Sequence, residues 1–128
     1  MRCMAARIGL CAATLWMSPG SAQQTFSGTQ VESGCRTLVT LAVNNGYGRT
    51  REEAVYAGEC AGIVSVLLTA GSSLDEKIRL CAPREANVMQ GARVVLKYLG
   101  NHPKHLHLSA VDLAMAAFRE AWPCPRAN

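Results

Sequence analysis

The residues of this chain able to do chemistry by type and spacing are its cysteines and a knot of histidines. Cys35, Cys60, Cys81 and Cys124 stand 25, 21 and 43 residues apart. None has a second cysteine three positions on, so a CxxC redox centre, a zinc knuckle and a haem attachment site are absent. His102, His105 and His107 form an HxxHxH cluster of a kind that can hold a transition metal. No acidic residue or cysteine stands in the same loop to complete a tetrahedral set, so the cluster reads as a solvated loop, and neither a metal nor a cofactor is expected. Ser65, Ser72, Ser73 and Ser109, with Asp75 and Asp112, include no GxSxG elbow. The carboxylates of Glu52 and Glu53, or of Asp75 and Glu76, are adjacent in sequence and point apart on a helix. The reading is a protein that is not an enzyme, with no catalytic residue.

The four cysteines acquire meaning from the residues that precede them. Arg2 and Arg7, an apolar run from Ile8 to Met17, and Pro19, Gly20 and Ala22 follow the grammar of a signal peptide. The run is shorter than the roughly 20 residues that span a bilayer. Residues 1–22 are therefore expected to be a signal peptide and 23–128 a single domain, with no membrane contact once the leader is removed. Cys3 and Cys11 leave with the leader. The remaining even set in a small exported chain reads as a two-disulfide framework. Of 13 basic residues, the loss of Arg2 and Arg7 leaves 11 against 9 acidic ones, a net charge of +2. The basic residues are scattered and aromatics are few, so no nucleic acid partner is expected.

The elements that must position these cysteines are helices. Val31, Cys35, Leu38, Val39 and Ala42 mark one stripe, and "NNGYG" at 44–48 stops it. Thr50 and Glu53 form a capping box that opens a helix over 51–70. Along that helix Gly58 and Gly62 belong to a small-residue flank, and their cost of about 1 kcal/mol each against alanine predicts a closely packed neighbouring helix. The segment 71–83 is aperiodic and polar, a surface loop. Asn87 with Gln90 begins a third helix that ends near Leu99, with Val88, Val95 and Leu99 on one face, Val94 and Tyr98 beside it, and Gly100 as a left-handed cap. Leu108, Val111, Met115, Phe118 and Trp122 step by three or four as the buried stripe of a fourth helix, and Pro123 ends it. The fold class is all-α: a small four-helix disulfide-stabilised domain of two antiparallel helical hairpins.

In such hairpins Cys35 and Cys60 come level on either side of the first turn. Cys81 and Cys124 both fall at the open end of the second hairpin. The preferred pairing is Cys35 with Cys60 and Cys81 with Cys124. The nested alternative, Cys60 with Cys81 and Cys35 with Cys124, stays open, because residues 71–81 could fold back along the second helix. Tyr47 and Arg49 in the first turn, and Asp75 and Lys77 in the long loop, are the candidate partner-binding residues, as exposed groups suited to a protein contact.

The ordered set "CAGIVSVL", "CAP", "QGARVVLKYLGNHP", "HLSA" and "FREAWPC" resembles the Rap/Tai family of immunity proteins associated with type VI secretion. The likeness runs from Cys35 to Cys124. It differs where Ile63 and Val66 stand in place of the aromatic residue and second glycine that often follow CxG in the family. The resemblance implies an exported periplasmic protein, often dimeric, that binds a secreted peptidoglycan amidase and occludes its active cleft. The partners expected on that basis are such an amidase and a second copy of the chain. The alternative is a periplasmic structural or chaperone-like helical module with no toxin partner. It would need an exposed Met or Leu patch, whereas the four stripes look consumed by one core.

Overall fold

The computed structural model describes residues 25–43 and 50–125. The expected leader at 1–22, and Tyr47 and Arg49, lie outside them. Helix α1 (Gly28–Val43) begins where Ser27 and Gln30 cap each other. The Ser27 amide donates to Gln30 Oε1 at 2.9 Å and the Gln30 amide to Ser27 Oγ at 3.4 Å, a reciprocal box. Helix α2 (Arg51–Ala70) begins the same way. The Thr50 amide donates to Glu53 Oε2 at 2.9 Å, and the Glu53 amide to Thr50 Oγ1 at 3.2 Å. A 3-10 turn (Gly71–Ser73) continues it. Helix α3 (Val88–Asn101) starts at Asn87, whose side chain accepts from the Gln90 amide. A second 3-10 turn (Pro103–His105) leads to α4 (Ala110–Ala121). Among the described residues there is no strand, only an isolated bridge between Ser27 and Ser109.

Helix α1 packs most extensively on α2, then on α3, and α3 in turn packs on α4. The disulfides are Cys35–Cys60 and Cys81–Cys124, with Cα separations of 5.2 and 5.0 Å, so the preferred pairing is the observed one. In the chain-entropy model, loops of these lengths stabilise by about 3.5 and about 4 kcal/mol. The start of α1 is also sewn to the start of α4 by the Gly28 amide on Leu108 O, the Thr29 amide on Leu106 O and the Ala110 amide on Phe26 O. That backbone bond serves the start of α4, where the Ser109 side chain makes no capping bond.

Four expectations need correction. Helix α3 runs through Gly100 to Asn101. Its last carbonyls are satisfied instead by His102, whose amide donates to Leu99 O and whose Nδ1 bonds Tyr98 O at 2.8 Å, so no left-handed residue is required. The buried side of α4 is Ala110, Leu113, Ala114, Ala117 and Phe118, while Leu108 and Val111 are 43% and 45% exposed. Alanines let α4 lie close to its neighbours, and the stripe of larger residues is thereby turned partly outward. The loop after α2 is not wholly on the surface, since Leu80 is in the core and its amide donates to Gly71 O.

The fourth correction concerns glycine. Gly58 and Gly62 face open space, with nothing near the position a Cβ would take. The close helix contact lies at Gly34 of α1, where a Cβ would collide with the backbone carbonyl of Tyr56 on α2. One residue further on, Cys35 makes the bond to Cys60. In thermal melts, Gly34→Ala is expected to destabilise the domain by about 2 kcal/mol or more, since the obstacle is backbone and must move. Gly58→Ala and Gly62→Ala are each expected to be neutral or to stabilise by up to about 1 kcal/mol in the isolated monomer.

Candidate partner-binding surface

Asp75 and Lys77 come together in one tight turn. The Lys77 amide donates to Asp75 Oδ1 at 3.1 Å and the Ile78 amide to Asp75 O at 2.9 Å. Asp75 therefore spends part of its carboxylate on shaping the turn, and Lys77 is the freer of the two as an outward group. Arg79 Nε reaches back to Leu74 O at 3.4 Å. Both ends of the segment are anchored: the amides of Leu74 and Leu80 donate to the same Gly71 carbonyl, and Cys81 is tied to Cys124 beyond the end of α4. The sequence reading missed Ile78, which is 42% exposed between Lys77 and Arg79. A lone β-branched apolar residue in an otherwise polar, aperiodic loop was the available clue.

The second surface is apolar and belongs to α2. Val55 and Val66 are 53% and 62% exposed. A groove of about 300 Å³ is lined by Glu59, Gly62, Ile63, Val66, Leu67 and the outward-turned Val111 of α4. The expectation that one core consumes every stripe is thus corrected. Arg51–Ser73 is long and apolar enough to cross a membrane by length and composition, yet only 28% of that apolar window is buried. Its buried side (Ala57, Cys60, Val64 and Leu67) faces the core, so the apolar character of α2 is divided between the interior and this open face. Ile63 and Val66, the two departures noted in the sequence, lie on that face.

His102 and His105 are arranged as stacked rings. His102 lies on Tyr98 with centroids 4.1 Å apart, and His105 on His102 at 5.7 Å with planes only 14° apart. Ring nitrogens carry their lone pairs in the ring plane, so parallel rings do not aim them at one ion. Nδ1 of His102 is also engaged by Tyr98 O, to which it donates. Among the described residues no group of three His, Cys, Asp or Glu could hold a metal.

These features define a helical domain stapled by two disulfides whose exposed features suit protein contact. The chain belongs to the family of Rap1a immunity proteins, whose family model matches residues 27–124. No curated protein and no solved structure matches it. Membership points to an immunity role toward a secreted effector, exercised through a partner and in general without catalysis. The two disulfides and the family both fit an extracytoplasmic protein. Added zinc is expected to leave the melting temperature unchanged. A shift that disappears in His102→Ala or His105→Ala would contradict the stacked-ring reading.

Proposed function

We propose that the chain is exported to the periplasm and neutralises a secreted peptidoglycan amidase of a type VI secretion system by occluding its active cleft, with the Asp75–Arg79 turn as the part that enters. The observation that carries this reading is Ile78, an exposed apolar side chain at a charged turn anchored on both sides. An exposed turn already held in shape loses little entropy on binding, which is how a small contact reaches high affinity. Lys77 and Arg79 would meet acidic groups at the cleft rim, and Ile78 would fill an apolar recess. Tyr47 and Arg49 are proposed as further partner-binding residues. Inhibition of this kind requires no chemistry of the chain itself.

The α2 groove is proposed to take a second copy of the chain. Gly58 and Gly62 present a flank without side chains, the kind of surface against which a helix can pack closely, and no helix among the described residues occupies it. Its lining is apolar except for Glu59. A chaperone-like use of the groove is less well supported, because branched valines and glycines adapt to varied clients less readily than methionines do.

Coexpression and inhibition assays with candidate exported peptidoglycan amidases test the first proposal. Lys77→Glu combined with Ile78→Asp is expected to weaken inhibition by at least about tenfold, equivalent to about 1.4 kcal/mol, without altering the melting temperature. Failure of the unsubstituted protein to inhibit any of these amidases would remove the immunity reading toward that enzyme class. For the second proposal, sedimentation should show a dimer that Val66→Asp or Val111→Asp converts to monomer. A protein that is monomeric throughout would refute it.

A further inference from the structure

The two disulfides occupy different environments. Cys35 and Cys60 have no exposed surface at all, and the core packs around them. Cys81 and Cys124 are only half-buried, and each lines a depression open to solvent. Cys124 joins Glu76, Arg79, Arg119 and Pro123 around a basin of about 250 Å³. Cys81 lies among Leu67, Leu80, Pro83 and Arg84 on a larger one of about 470 Å³. Each residue of this pair therefore meets solvent. An attacking thiolate is an anion, and the basin at Cys124 offers it two guanidinium groups against one carboxylate.

Position matters as much as access. Leu80, the residue before Cys81, is held by the core and by the Gly71 carbonyl. The end of α4 is held by Phe118 in the core, by the Trp122 amide on Phe118 O, and by the edge contact of the Phe118 and Trp122 rings at 5.0 Å. Opening the bond leaves those anchors in place. It removes the covalent tie between the loop that carries Asp75–Arg79 and the end of α4. Among the described residues, the 3.7 Å approach of Cys124 Sγ to Arg79 O is a polar contact between the two segments, and it depends on the bond itself.

We infer that Cys81–Cys124 is a selectively reducible clamp: a dithiol reductant opens it while Cys35–Cys60 stays closed, and opening releases the Asp75–Arg79 turn without unfolding the helices. In the reaction a thiolate of the dithiol attacks Cys124 Sγ, a mixed disulfide forms, the Cys81–Cys124 bond breaks, and Cys81 leaves as thiolate. The second thiol of the reductant then closes its own disulfide and expels Cys124. Two electrons pass from the dithiol to the pair, and the two protons it gives up end on the cysteine thiols. The consequence for a partner rests on the proposed reading of the turn as the inhibitory contact. The selectivity of reduction does not.

The test treats the oxidised protein with graded dithiothreitol, traps thiols with iodoacetamide under native conditions, and assigns the labelled cysteines by peptide mass spectrometry while circular dichroism follows helix content. Cys81 and Cys124 should be labelled at least about tenfold faster than Cys35 and Cys60, since access governs the rate of exchange, with helix content retained. Simultaneous labelling of all four, earlier labelling of Cys35 and Cys60, or loss of helix on first labelling would overturn the clamp. Hydrogen exchange at 74–80 should rise in the half-reduced protein and in a Cys81→Ser, Cys124→Ser double variant. Unchanged exchange in both would overturn release of the turn. Inhibition assays on oxidised and half-reduced protein separate the two levels: an oxidised protein that inhibits no amidase sinks the functional reading alone, because the labelling result decides the clamp independently.

Discussion

The fold depends on the closeness of α1 to α2 at one point. Gly34 lies where any side chain would run into the Tyr56 carbonyl, and that lack of a side chain lets Cys35 reach Cys60. A disulfide requires its two Cα atoms within about 7 Å of each other, a demand two packed helices meet only where small residues permit it. Val31, Cys35, Cys60 and Val64 then form a fully buried seam. Val64 extends that seam to Gly91 of α3, where a Cβ would lie 2.5 Å from Val64 Cγ1 and 3.0 Å from Phe118 Cζ. Three helices and the large aromatic of the fourth thus meet with little room to spare. In a domain of this size a single core is only marginally sufficient, which gives the covalent bond at its centre disproportionate weight.

Around that seam the molecule divides into parts with different duties. The seam between α1 and α2 is fully buried. The segment from Gly71 to Ala86 contributes Leu80 to the core, packs Leu74 partly buried against it, and presents charged groups beyond. The outer face of α2, joined by Val111, is apolar but open. Proteins that act by binding need rigid exposed features, and the two staples supply that rigidity where the hydrophobic core alone is small. The Rap1a family match spans both staples and every helix, so the features argued to bind rest on a scaffold the family model covers.

Much of this was legible in the sequence wherever the cause was local. The Thr50 and Glu53 box, the start of α3 at Asn87 and the end of α2 follow from residues a few positions apart, and counting along antiparallel helices favoured the observed disulfides while leaving the nested pairing open. The Ser27 and Gln30 cap had the same local grammar and was overlooked in the polar stretch before α1. What could not be read depended on neighbours far along the chain. Periodicity weights large residues, so Leu108 and Val111 looked buried while Ala110, Ala114 and Ala117, the residues that make the contact, carried no such weight. Gly58, Gly62 and Gly34 are alike in sequence, and only the placement of Tyr56 distinguishes the one that is needed. Of the candidate site, Asp75 and Lys77 were recognisable by charge, whereas Ile78 needed the loop's anchors at Gly71 and Cys81 before its exposure had meaning.

The central claim is that the α1/α2 seam at Gly34 and Cys35–Cys60 is the last part of the domain to open. Native-state hydrogen exchange on the oxidised protein tests it most directly. The slowest amides should be those of Cys35, Val39, Cys60 and Val64, exchanging only through global unfolding, with α4 and the 74–80 turn exchanging sooner. If the slowest amides instead lie in α4, or if the seam exchanges while α3 and α4 stay protected, the claim is contradicted.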